Sequence, residues 1–184
     1  MERRNAEAQY RSYYSVIKRH GAQRLMRWMK ANGFFEAPAS RRHHGSFPGG
    51  LAIHSINVFE RLQKIVMEER RWEYSAETTA IVSLLHDLCK IDAYEKTETG
   101  YRLTKHFPAG HGEKSVFLIQ RFMRLQEEEI LAIRWRMGQY DFYARGGGYD
   151  IENAFEQCRL VSMLHLADME ATHLDERDDW RKTQ

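Results

Sequence analysis

Four side chains of this 184-residue chain are of types that can hold a cation together: His54, the adjacent His86 and Asp87, and Asp168. They fall on three separate stretches of helical periodicity, each otherwise apolar. Placing imidazoles and carboxylates in apolar surroundings costs free energy unless something inside binds them, and a divalent metal ion is the simplest such partner. Two nitrogen and two oxygen donors suit manganese, iron, nickel, cobalt or zinc better than calcium. Taken singly, each residue has a plainer explanation, such as a buried histidine donating to a backbone carbonyl. The set of four carries the chemistry.

The elements that must position these residues read as helices, and strand signals are weak, so the expected fold is all-α. Residues 6–32 read as one or two helices broken near Gly21, with Leu25, Met26 and Met29 on an inner face. Residues 33–50 are irregular, with Pro38, Pro48 and paired glycines. Leu51 opens a helix whose stripe of Leu51, His54, Val58, Leu62 and Ile65 places His54 on the buried face. Ser75 caps the next helix, with Thr78 where a glutamate would complete a capping box. That helix is expected to run to residue 92. Ile81, Leu84, Leu85 and Leu88 form its apolar face, and His86 and Asp87 flank the opposite direction.

Residues 93–110 read as a loop with a short hairpin around Gly100. Helices follow at about 113–123 and 127–137, the second opened by the acidic run Glu127 to Glu129, which the helix dipole favours. The stretch Arg145-Gly-Gly-Gly-Tyr149 reads as a flexible linker. The last helix is expected over 151–173, with Leu160, Leu164, Ala167 and Ala171 on its stripe, Asp168 at the margin and His165 as a core or supporting histidine. The charged residues 174–184 are expected to fray. The whole is read as one domain over 1–184, with a core at 34–175 and the 6–32 helices packed on it.

With 28 basic against 26 acidic residues and a formal charge of +2, the chain lacks the electrostatic signature of a strong nucleic-acid binder. A small phosphorylated substrate or a short oligonucleotide end remains compatible with that balance. Cys89 and Cys158 are too few for a disulfide framework or a zinc ribbon, and Cys89 reads as a buried thiol. No apolar stretch is long enough to span a membrane, and Met1-Glu-Arg-Arg-Asn5 is not followed by the apolar core of a secretory signal, so a cytoplasmic location is expected.

The ordered set resembles the HD-domain metal-dependent phosphohydrolases. It is carried by His54, by His86-Asp87 within Leu85-His-Asp-Leu-Cys-Lys90, and by Asp168 within Leu164-His-Leu-Ala-Asp-Met-Glu170. The segment Ala37-Pro-Ala-Ser-Arg-Arg-His-His-Gly-Ser-Phe-Pro-Gly-Gly-Leu-Ala-Ile-His54 is similar to small bacterial and phage HD proteins related to the exoribonuclease-type HD domain. The resemblance implies an all-helical bundle with a metal site between helices, ligated by His54, His86, Asp87 and Asp168. It also implies that His44 faces the site. Extra histidines bind a second ion in two-metal relatives. His111 stands in the first such region, but Arg136 stands in the other, and a guanidinium cannot ligate a metal. One metal is therefore expected, with His111 acting on substrate or contributing to a partial second site.

Lys90, one turn beyond His86, can reach a substrate phosphate, as can Arg136. His111 and Lys114 can bind phosphate with free amides at a helix start. Phe47, Tyr140, Phe142, Tyr143 and Tyr149 can stack on a base, although burial is the ordinary role of such rings. The expected activity is hydrolysis of a nucleotide or short oligonucleotide phosphoester, with Asp87, Lys90 and His111 acting on the reaction. Two alternatives come from other classes. One is a non-catalytic module binding a nucleotide or a protein partner, and the other is a di-iron oxygenase, which would need two irons. The sequence does not determine an oligomeric state.

Overall fold

The computed structural model describes residues 3–69, 74–104, 110–138 and 149–176. Its architecture is helical. Helix α1 (Arg3–Tyr14) and α2 (Ala22–Ala31) lead into an irregular stretch, then α3 (Gly50–Glu68) and α4 (Ala76–Leu85). A 3-10 turn (Leu88–Asp92) follows, then an antiparallel hairpin of β1 (Tyr94–Thr97) and β2 (Gly100–Leu103) with Thr97 opposite Gly100. Next come α5 (His111–Gln120), α6 (Glu127–Trp135), α7 (Asp150–Gln157), α8 (Arg159–Glu170) and a π turn (Ala171–Asp175). No described helix is long and apolar enough to cross a membrane. The Gly146–Gly148 run, Tyr140, Phe142, Tyr143 and the tail 177–184 lie outside the described residues.

Helix α4 is the centre of the packing. Every residue from Thr78 to Leu85 is buried, so it is covered on all sides rather than presenting one apolar face. Helix α3 lies against both α4 and α8, and α6 also packs on α8. Ser75 caps α4 as the sequence suggests: its hydroxyl accepts from the Thr78 amide at 3.0 Å and donates to the Thr78 hydroxyl at 3.0 Å.

The N-terminal helices are bound into this core. The buried Tyr10 hydroxyl donates to the Leu84 carbonyl at 2.7 Å, satisfying an acceptor in the last turn of α4. Arg19 pairs with Glu129, which is fully buried. The Glu129 carboxylate also accepts from the Gln126 amide at 2.8 Å, closing the start of α6. The acidic run that the helix dipole favours thus also supplies a buried ion-pair partner. Gly21 sits at φ 92°, and a Cβ there would run into the Phe122 carbonyl, so the α1–α2 turn requires glycine.

Two expected helices are broken, and both breaks bear on the site. The helix expected to reach residue 92 ends at Leu85, with His86 as its cap and Asp87 at φ −105°. The His86 ring supplies a local cause. Its Nδ1–H donates to the Ser83 carbonyl at 2.7 Å, the acceptor that a continuing helix would offer to the Asp87 amide. The helix expected over 151–173 divides at Cys158, which is extended (φ −136°, ψ 105°) with its side chain buried. Helix α8 thus has its own axis, and Asp168 faces the cluster from its last turn.

Candidate metal centre

The cluster is built from the end of α4, the first turns of α3 and the last turn of α8. His54 stands on α3 with 1% exposure, beside His86 (0%) and Asp87 (1%). His54 Nε2 lies 3.3 Å from His86 Nε2, 3.2 Å from Asp168 Oδ1 and 3.7 Å from Asp87 Oδ2. His86 Nε2 lies 3.6 Å from the same Asp87 oxygen. The structure thus brings together all four residues singled out from the sequence.

The other nitrogen of each ring fixes its orientation. His86 Nδ1 is spent on the Ser83 carbonyl, which leaves Nε2 as the inward-facing atom. His54 Nδ1–H donates to Glu176 Oε1 at 3.0 Å, and Asn57 Nδ2 donates to the same oxygen at 2.9 Å. A histidine held by a carboxylate through one nitrogen presents the other in a fixed direction, a recurring support for metal ligands. Glu176 escapes a sequence reading that expects residues 174–184 to fray. It is 5% exposed, and its amide bonds to the Ala171 carbonyl across the π turn. Asn57 and Arg61 follow His54 on α3, and Arg61 pairs with Glu170 and Asp175, so one side of α3 grips the whole turn. The spacing of Asn57 from His54 was the available signal for this support.

The electrostatics are those of a site organised around positive charge. Burial presses His54 towards its neutral form, but the Glu176 and Asp168 carboxylates outweigh it and lift its pKa to about 10. Burial dominates at His86 and lowers it to about 4, so that ring is neutral. Burial presses the Asp87 pKa upward, yet Arg136 and Lys90 hold it well below the usual carboxylate range. Asp168 is likewise lowered, by the His54 hydrogen bond against burial.

The donor set fits a divalent metal ion. His54 Nε2, His86 Nε2 and Asp87 Oδ2 converge, with Asp168 Oδ1 against His54, and such acceptors tolerate one another only with a proton or a cation among them. Asp87 Oδ2 is buried, with only the Lys90 ammonium among the described residues placed to donate to it. A metal held here would displace the His54 Nε2 proton. His54, His86 and Asp87 form one group with metal-ligand spacing, and His44, His54 and Glu176 form another.

A cavity of about 310 Å³ opens onto the cluster, its wall including His44, Asp87, Lys90, Arg136, His165 and Asp168. The His44 ring lies tilted against that of His54, with ring centroids 4.9 Å apart. Lys90 Nζ lies 2.6 Å from Asp87 Oδ2.

Arg136 is placed differently from a free phosphate clamp. It is 1% exposed, its Nη2 donates to Asp87 Oδ1, its Nε donates to the His86 carbonyl at 3.1 Å, and Nη1 lies 3.5 Å from Asp168 Oδ2. Its donors are committed to Asp87, the His86 carbonyl and the Asp168 side, so it positions these candidate ligands. His165 Nδ1–H in turn donates to the Arg136 carbonyl at 2.7 Å, a supporting role consistent with the sequence reading. His111 and Lys114 are not on the cavity wall: His111 Nδ1 lies 3.3 Å from Cys89 Sγ, and Lys114 pairs with Asp92. Cys89, in the 3-10 turn, faces α5, its amide donating to the Ser115 hydroxyl at 3.1 Å. Phe47 and Tyr149 are described but absent from the wall, and Tyr149 is 74% exposed.

A helical fold with a buried His and His-Asp cluster between α3, α4 and α8 defines the class of HD domains, which are generally metal-dependent hydrolases. The HD-domain family model matches residues 51–172, and the chain belongs to that family. No curated protein and no solved structure matches it.

Proposed function

We propose that this protein is a metal-dependent phosphohydrolase acting on a nucleotide or a short oligonucleotide phosphoester. The observation that carries the reading is the convergence of His54 Nε2, His86 Nε2 and Asp87 Oδ2, with Asp168 Oδ1 against His54, beside a cavity that Lys90 also lines. His54, His86, Asp87 and Asp168 would hold one divalent transition metal. When bound, such an ion lowers the pKa of its water towards about 7 and polarises a phosphoryl oxygen.

The protein's own groups supply the rest. Glu176 and Ser83 fix the two imidazoles so that both Nε2 atoms face inward. Arg136 keeps Asp87 ionised and holds it in register with Asp168. Lys90 offers charge to a phosphate entering the cavity, and His44 presents a ring on the same wall. A cavity of about 310 Å³ suits a phosphate with part of a nucleoside better than a duplex. The near-neutral net charge points the same way, since long duplex binding relies on many phosphate contacts.

A second reading is favoured by one contact. Arg136 occupies Asp87 Oδ1, which suits a non-catalytic module that binds a phosphorylated ligand with protein cations alone. Metal analysis of the purified protein, followed by a metal-dependent screen against nucleotides and short oligonucleotides, separates the two. The hydrolase reading expects one metal per chain, with binding and hydrolysis lost together in His86→Ala and Asp87→Ala. Full activity in either variant would refute it.

A further inference from the structure

Asp87 carries two cations, one on each carboxylate oxygen, and they are held in different ways. Arg136 donates a hydrogen bond to Oδ1, is 1% exposed and is tied at the same time to the His86 carbonyl. Lys90 lies 2.6 Å from Oδ2, a charge-assisted pair made by a single flexible side chain whose ammonium has no second anchor among the described residues. The Lys90 side chain is 12% exposed and stands on the cavity wall. Oδ2 is also the Asp87 oxygen that faces both inward-facing imidazole nitrogens, at 3.7 Å from His54 and 3.6 Å from His86.

One buried oxygen is thus shared between an ammonium and the point where the metal-competent nitrogens converge. We infer that Lys90 is an exchangeable counter-ion: it holds Asp87 Oδ2 until a divalent cation takes that oxygen, and it then turns its ammonium into the cavity to meet a phosphate. The inference rests on the metal-dependent reading above.

Two like charges on one carboxylate oxygen repel, and in a buried site little salt screens them. Arg136 is not the group that yields, because leaving would abandon the His86 carbonyl and strand a rigid guanidinium in the core. Lysine suits the role, having a flexible stem, a compact charge and three rotatable donors. Its way out is the cavity it already lines. The exchange orders binding, since metal uptake delivers the cation that a phosphate needs. By linkage, phosphate in turn raises metal affinity by the same factor.

The test uses the full-length protein stripped of metal, with Mn²⁺ alone as the probe. Lys90→Met keeps most of the stem and removes the charge. It is expected to bind Mn²⁺ more tightly than wild type by on the order of tenfold in calorimetric titration. In wild-type protein, acetylation of Lys90 by acetic anhydride, read by mass spectrometry, is expected to rise when Mn²⁺ saturates the site. Equal or weaker binding in Lys90→Met overturns the inference, and so does labelling that stays constant or falls. The labelling decides alone if the variant does not fold. Wild-type protein that takes up neither Mn²⁺ nor iron, cobalt, nickel or zinc would overturn the metal-dependent reading itself. Tight Mn²⁺ binding with an unresponsive Lys90 overturns only the exchange.

Discussion

His54 and Glu176 are joined by a 3.0 Å hydrogen bond across 122 positions of chain. The bond fixes the tautomer and direction of a ring whose other nitrogen faces His86 and Asp168. Replacing Glu176 with glutamine keeps the shape and removes the charge. Glu176→Gln is expected to lower metal affinity by roughly 10- to 100-fold, the usual size of a supporting-carboxylate effect. Calorimetric titration with Mn²⁺ measures it, and wild-type affinity in the variant would show that the carboxylate does not tune the ligand.

Arg136 neutralises two buried carboxylates at once. Arg136→Met leaves Asp87 Oδ1 and Asp168 without that charge, and breaking a buried pair from one side costs about 3–5 kcal/mol. Urea denaturation of metal-free protein should show this loss. Arg136→Lys should restore only part of it, because an ammonium cannot reach Asp87 and the His86 carbonyl together. A variant as stable as wild type would mean that the pair contributes no stability.

Metal removal has a thermodynamic signature apart from turnover. A ligand that binds only the folded state stabilises it by about 2.7 kcal/mol at a hundred times its Kd. Dialysis against a chelator should therefore lower the thermal midpoint and stop hydrolysis, and added Mn²⁺ should restore both in a concentration-dependent way. A midpoint indifferent to Mn²⁺ over that range would contradict a folded-state metal site.

Gly21→Ala probes the fold away from the cluster. The residue must adopt φ 92° with its Cβ directed at the Phe122 carbonyl, so the substitution should cost more than about 1 kcal/mol. Metal affinity at saturating stability should stay unchanged. A neutral or stabilising result in denaturation would mean that the turn relaxes freely.

The helical character, the four clustered residues and their family were legible because periodicity places His54 inside and because His-Asp sits in an apolar run. The breaks at His86 and Cys158 were not legible. The first depends on a ring bonding to Ser83, and the second on one residue turning extended within an unbroken apolar stripe. Glu176 was hidden because its burial arises from α3 gripping a π turn, a tertiary effect that a charged run cannot signal. Arg136 was visible as a departure from a histidine, but its commitment to Asp87 is a matter of geometry. The same holds for His111 and Lys114, whose partners Cys89 and Asp92 are set by the 3-10 turn.

Glu176 and His44 lie on either side of the matched residues 51–172. A chimera that moved only that span into another HD protein would carry the candidate metal-binding atoms and leave their buttress behind. His54 would arrive in a foreign frame, free to choose its tautomer. Recombination within such a family is therefore expected to conserve ligands while scrambling the affinity with which they hold an ion.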